Sequence, residues 1–154
     1  MSNNTVRHQP SIEKIAYCEY SLAYEIFCET RQTPWSFSSF ESSVTSGLCY
    51  VAKENKNMLG FVLSQSMYET AEILDISVTQ TRRRQGIGAC LLHALIEHYA
   101  STEAESVLLE VDENNKAAIG LYKQKGFKHI DTRANYYQYQ DGQRSSAWVM
   151  QLQL

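Results

Sequence analysis

The sequence predicts an α/β protein, a mixed sheet with helices on both of its faces. Three observations carry this prediction. "LCYVA" (48–52) and "LGFVLSQS" (59–66) are strand-like runs on either side of the polar turn "KENKN", the pattern of a hairpin. "SVLLEV" (106–111) is a short apolar strand between two segments of helical periodicity, which fits a sheet covered on both sides. The turn signal Asp141–Gly142 joins two further strand-like runs at the end of the chain.

In chain order, residues 1–10 read as a flexible start. Ser11 to Cys28 reads as one helix, with Ile12, Ile15, Leu22 and Ile26 on its apolar face, Ser11 as cap and Glu13 in the first turn. "TPWSFSSFESSV" breaks it and opens a short second helix around Ser36. After the first hairpin and "YETAE", a third strand "ILDISV" (73–78) follows. Gly88, Leu91, Leu92, Leu95, Ile96 and Tyr99 then keep an i, i+3, i+4, i+7 spacing, with His93 and Glu97 on the outer face. "NNKAAIGLYKQKG" is a second amphipathic helix, capped by asparagine and stopped by Gly126. "FKHIDTRANYYQY" and "SAWVMQLQ" close the chain as an antiparallel pair.

A length of 154 residues fits one domain, taken as 1–154. With 14 basic and 17 acidic side chains the net charge of −3 argues against a nucleic-acid-binding surface. No apolar run is long enough to cross a bilayer, and "MSNNTVRHQP" lacks the apolar core of a secretory signal, so a cytoplasmic location without membrane partners is expected. Cys18, Cys28, Cys49 and Cys90 have neither metal-ligand spacing nor disulfide density, and read as reduced, buried thiols. No metal is implied.

Chemistry concentrates in "QTRRRQGIGACLLHALIEHYA" (80–100). Arg82, Arg83 and Arg84 precede a helix whose amino end is itself electropositive and carries four unpaired N–H groups. Gly86 and Gly88 allow a close backbone approach, so strand, glycine bend and helix together form an anion site, and a bound anion would offset the arginines. A triphosphatase phosphate loop fails here, because Ala89 and Cys90 replace its lysine and hydroxyl residue. A dinucleotide fingerprint fails at Leu91, where its third glycine belongs. The bend alone also fits a plain solvated turn. Glu110 is a carboxylate near the carboxyl end of an apolar strand, expensive unless paired, hydrated or used; a structural ion pair is the plain alternative. Tyr122 falls on the inner face of the next helix, where a core aromatic is the plain alternative.

These residues resemble the acyl-coenzyme A signature of the GNAT N-acetyltransferase superfamily: Arg83, two residues, Gly86, one residue, Gly88. "PWS", "LEV" with an asparagine five residues after its glutamate, "LY…GF" and "NYY…DG" narrow the resemblance to RimI-like acetyltransferases of ribosomal-protein N-terminal amines. The resemblance implies a twisted, mostly antiparallel sheet with a parallel pair at the cofactor site, and acetyl-CoA as co-substrate. It implies that Ile76, Ser77 and Val78 offer strand backbone to the pantetheine arm. Arg83, Arg84, Gln85, Gly86, Ile87, Gly88 and Ala89 would hold the diphosphate, and Asn115 would contact the coenzyme. Glu110 would be the general base and Tyr122 the general acid, with Tyr136 and Tyr137 lining the acceptor groove. The implied partner is a protein N-terminus, small-subunit ribosomal proteins among the candidates. Small-molecule amines, or coenzyme binding without turnover, stand as alternatives. The chain departs from the resemblance at "DGQRSSAW", where acids commonly follow the glycine, and at Asp75, where a neutral amide is common.

Overall fold

The computed structural model describes residues 8–154; the expectation for residues 1–7 lies outside the described residues. The elements are β1 (Ser11–Lys14), α1 (Tyr20–Thr30), α2 (Phe37–Ser46), β2 (Leu48–Glu54), β3 (Asn57–Met67), β4 (Thr70–Val78), α3 (Ile87–Ala100), β5 (Ser106–Asp112), α4 (Lys116–Gln124), β6 (Lys128–Gln138) and β7 (Arg144–Gln153), with 3-10 turns at Tyr17–Glu19 and Gln80–Arg82. One seven-stranded sheet runs in the order β1-β2-β3-β4-β5-β7-β6. Every neighbouring pair is antiparallel except β4 and β5. The α3 crossover imposes that exception, because only a long connection returns a strand in the same direction.

Two apolar clusters hold the sheet. On one face α3 and α4 bury Leu91, Leu92, Leu95, Tyr99, Ile119 and Tyr122 against Val62, Val107 and Leu109. On the other, α1 and α2 bury Phe27, Phe40 and Val44 against Val51, Phe61 and Leu63. This second layer packs on β2, β3 and β4. At β5, therefore, cover is one-sided. Val107, Leu109 and Val111 are buried, while Leu108 and Glu110 between them are only half-buried. The apolar run at 106–111 overstates the cover, because Leu108 faces the side of the sheet where, among the described residues, α1 and α2 pack on β2, β3 and β4 instead.

The expected helix over Ser11–Cys28 is corrected. Ser11–Lys14 is a strand paired with Lys53–Tyr50 of β2, and the helix begins only at Tyr20. Ile12 packs with the α3-side cluster and Ile15 with the α1-side cluster, so residues that suggest one helical face divide between two sides of the sheet. Nor are the thiols uniformly buried: Cys18 is exposed, Cys49 is buried, and all four cysteines are free. Elsewhere boundaries shift slightly, β4 beginning at Thr70 rather than Ile73. Ser36 caps α2, its hydroxyl accepting from the Ser39 N–H at 3.2 Å.

Three local features position the site. The β4–β5 ladder stops at Ile73↔Leu109 although β4 runs on to Val78 and β5 to Asp112. Just there β4 carries a bulge: Leu63 opposes Asp75 and Ser64 opposes Ile73, leaving Leu74 as the extra residue. A bulge bends a strand and ends pairing, so β4 and β5 splay apart beyond it. Second, Gly86 caps α3 in the left-handed region (φ 82°), which glycine adopts without strain. Third, α4 is fixed at both ends. Asn115 Oδ1 accepts from the Ala118 N–H at 3.2 Å. At the other end the Gly126 N–H (φ 97°) bonds Lys123 O and the Phe127 N–H bonds Tyr122 O, both at 3.0 Å, a Schellman closure. Its usual apolar contact is Tyr122 against Phe127, ring centroids 5.8 Å apart. The stop signal thus also fixes Tyr122.

Candidate active site

A cleft of about 890 Å³ opens where β4 and β5 separate. Its wall is the β4 segment Ile73–Val78, its head the bend at Arg82–Ala89, and its far side β5 and α4. On the β3 side Ile76, Ser77 and Val78 pair with Val62, Phe61 and Gly60. On the β5 side they have no strand partner. Half of their backbone groups therefore face the cleft, a ready edge for an extended polar chain.

At the head, the first backbone bond across the α3 amino end is Cys90 N–H to Gly86 O, 3.1 Å. Helix geometry leaves the N–H groups of Ile87, Gly88 and Ala89 directed outward, and all three residues line the cleft. A Cβ on Gly88 would stand 3.5 Å from Leu121 and 4.0 Å from Val78, partly filling the space between α4 and β4. The three arginines divide their roles. Arg82 pairs with Glu54 at 2.5 Å and donates to Gln85 Oε1 at 3.0 Å. Arg83 donates to Val78 O at 3.3 Å, and Arg84 sits in the left-handed region (φ 59°). Glu54, a partner that the sequence does not suggest, thus offsets part of the arginine charge. The donor set suits a diphosphate: outward N–H groups, guanidinium groups beside them, and no carboxylate among the bend residues.

Glu110 and Tyr122 reach the same cleft from opposite faces of the sheet. Strand alternation directs Leu109 and Val111 to the α3–α4 core and Glu110 to the open face, where Arg133 of β6 holds it at 3.0 Å. Tyr122 comes from the core side. Burial, and less so the carboxylate of Asp75, raise its phenol well above the ordinary range. No buried side-chain oxygen among the described residues lacks a partner. Tyr137 also lines the cleft, its phenol pushed up to about 12 by burial and then by Glu110. Asn115 is there too, its cap bond made by Oδ1.

A family comparison decides what this arrangement is: the model of the acetyltransferase (GNAT) family matches residues 10–127. The chain belongs to the GNAT acetyltransferase family. It is 32% identical over 142 residues to the [ribosomal protein bS18]-alanine N-acetyltransferase of Haemophilus influenzae, covering 90% of this chain and 95% of that one. It is also 32% identical over 143 residues to the Escherichia coli K12 enzyme of the same name, covering 92% and 96%. The crystal structure of the E. coli ribosomal-protein-S18-alanine N-acetyltransferase superposes with a TM-score of 0.87, covering 93% of this chain and 92% of that one. Arabidopsis thaliana NAA60 shares the fold at a TM-score of 0.83 and 18% identity. This GNAT chain is an acetyl-CoA-dependent N-acetyltransferase.

Within the GNAT cleft the structure brings together most, but not all, of the residues that the resemblance names. Gln85 does not line it; its amide oxygen accepts from Arg82 instead. Tyr136 does not line it either. It is half exposed, edge-on to Tyr137 at 5.1 Å and under the Arg133 guanidinium at 5.6 Å. Adjacent strand residues point to opposite faces, so two consecutive tyrosines rarely share a groove.

Several cleft residues stand outside the sequence-level set. Thr30 and Arg31 arrive from the end of α1, and Asp75, itself in the cleft wall, is held there by Arg31 at 2.6 Å. Asp112, at the end of β5, accepts from the Tyr139 hydroxyl and from the Asn114 N–H. Burial would raise its carboxyl, but those bonds outweigh it and hold the carboxyl below the usual range. Ser145 donates to the Tyr139 hydroxyl at 3.2 Å, and Glu113 accepts from the Ser146 N–H at 2.9 Å. The Ser145 hydroxyl and the Ser146 main-chain N–H thus help to fasten the β6–β7 hairpin over the end of β5.

Proposed function

We propose that this chain transfers the acetyl group of acetyl-CoA to the N-terminal α-amine of a protein, with a ribosomal protein as the acceptor class. The observation that carries the reading is the convergence of Glu110 and Tyr122, from opposite faces of the sheet, beside the unpaired edge of β4 and the open amino end of α3. The acceptor class rests on the 32% identity, over nine-tenths of the chain, to enzymes named for the alanine amine of ribosomal protein bS18.

Acetyl-CoA, when bound, supplies an activated thioester. The N–H groups of Ile87, Gly88 and Ala89 hold the diphosphate, supported by Arg83 and Arg84. The free edge of Ile76, Ser77 and Val78 takes the amide-bearing arm, and Asn115 offers its amide N–H₂. A main-chain N–H at this edge lies where negative charge develops on the thioester oxygen, a contribution often near about 3 kcal/mol. An α-amine has a pKa of about 8, so about nine-tenths of it is protonated at pH 7. Glu110 takes that proton at a carboxylate oxygen, directly or through one water. Arg133 keeps the carboxylate oriented until the acceptor enters. Tyr122 gives its hydroxyl proton to the departing sulfur, and burial keeps that proton in place beforehand. Tyr137 walls the acceptor side. No step needs a metal.

Assaying the protein with acetyl-CoA against peptides bearing free N-termini, beside polyamines and amino sugars, tests this reading. Acetylation at the peptide α-amine, located by fragment mass spectrometry, is the expected result. Turnover confined to small amines, or coenzyme binding with no turnover, overturns it.

A further inference from the structure

The bulge that separates β4 from β5 has an owner in a distant part of the chain. A bulged residue loses its ladder partner, and its carbonyl must find another donor. The Leu74 carbonyl finds Arg31, whose Nη2 lies 3.3 Å away although 43 residues separate the two. The same guanidinium grips Asp75, with Nη2 at 2.6 Å and Nε at 3.2 Å from Oδ1. It is held in place over the rings of Phe27 (4.9 Å) and Trp35 (5.6 Å). From Asp75 the network continues inward. Ser77, 2% exposed, donates to Asp75 Oδ2 and lies 3.0 Å from the Thr30 hydroxyl. The end of α1 is thereby tied to three successive features of β4: the bulge, the acid after it, and the serine in the middle of the free edge.

We propose that Arg31 is a positioning residue for acetyl transfer: by clamping the Leu74 carbonyl and Asp75 it keeps β4 bent away from β5, so that Ile76–Val78 present an unpaired edge. The inference rests on the reading above that this edge receives acetyl-CoA. An ion pair with one side chain only 8% exposed is a poor device for stability alone, since apolar residues of similar volume often serve as well or better. What they cannot do is satisfy the orphaned carbonyl of a bulge. The guanidinium does both, because its donors are arranged in a planar fork.

Three variants separate positioning from folding: Arg31→Met, Asp75→Asn, and the double variant. Arg31→Met leaves a buried carboxylate unpaired, so its melting temperature falls most. Its kcat/KM for acetyl-CoA is expected to drop roughly ten- to a hundredfold, the scale of an ångström-sized misplacement, while KM for the acceptor peptide stays within about twofold. In the double variant the lone charge is gone and the melting temperature recovers, but the acetyl-CoA defect persists. Asp75→Asn keeps the Leu74 carbonyl bond but loses the ion pair, so its acetyl-CoA defect is expected to fall between wild type and Arg31→Met. A second readout needs no coenzyme: amide hydrogen exchange across residues 74–78 quickens in the double variant on the order of tenfold, the worth of one hydrogen bond to a charged donor. A double variant with wild-type exchange there, or with wild-type acetyl-CoA kinetics once its stability returns, overturns the proposal. Quickened exchange in a protein whose wild type does not bind acetyl-CoA would leave the clamp standing and remove the coenzyme reading.

Discussion

Glu110→Gln isolates the proton-accepting step from the fold. The side chain is half-buried on the open face of β5, and its partner Arg133 is more than half exposed. Losing the carboxylate leaves no charge stranded in the core, because water solvates the guanidinium; the stability change should stay within about 1 kcal/mol. Activity is another matter. Removal of a positioned base slows turnover by about 10² to 10⁴, a barrier increase of roughly 3 to 5 kcal/mol at 1.36 kcal/mol per decade. The pH dependence carries a sign. At pH 7 about a tenth of an amine with pKa near 8 is already free, and at pH 9 about nine-tenths is. The variant's deficit should therefore shrink by up to about tenfold between pH 7 and pH 9, as solvent does what the carboxylate did. Thiol release from acetyl-CoA at saturating coenzyme, measured over that range with a peptide acceptor, gives both numbers. Turnover equal to wild type at pH 7 would refute the role of Glu110. A deficit unchanged by pH would refute proton acceptance as its cause.

Tyr122→Phe keeps the ring against Phe127 and the α4 closure intact; kcat should fall by about 10² or more, with acetyl-CoA affinity preserved by calorimetry. Gly88→Ala puts a Cβ in ordinary contact with Leu121 (3.5 Å) and Val78 (4.0 Å), so the protein should fold normally and bind acetyl-CoA more weakly by calorimetry. Asn115→Ala removes the α4 cap bond at about 1 kcal/mol, lowering the melting temperature by roughly 2–4 °C, and should also raise KM for acetyl-CoA. Gly126→Ala forces alanine to φ 97° with its Cβ 3.2 Å from Leu152, and should cost at least about 1 kcal/mol in thermal denaturation.

What the sequence makes legible is what local chemistry determines. The glycine bend and α3 are readable because the cap, the outward N–H groups and the apolar spacing all lie within 21 residues. Helix α4 is readable for the same reason, Asn115 and Gly126 marking its two ends. Strand β1 is not: four residues are too few for alternation to outweigh a helical spacing, and its partners lie about 40 positions on. Arg31 is silent in sequence because its role exists only once a bulge appears in β4. Asp75 can be singled out as unusual, yet its partner cannot be named from the sequence. The pair Tyr136–Tyr137 shows the remaining limit, where knowing that a strand carries two aromatics does not say which one faces the cleft.

Amide hydrogen exchange on the wild-type protein, with and without acetyl-CoA, tests the central claim most directly. Slowed exchange at Ile87, Gly88 and Ala89, together with the backbone of Ile76–Val78, is the predicted outcome. Binding that leaves those amides unchanged, or protects a different surface, would contradict the account.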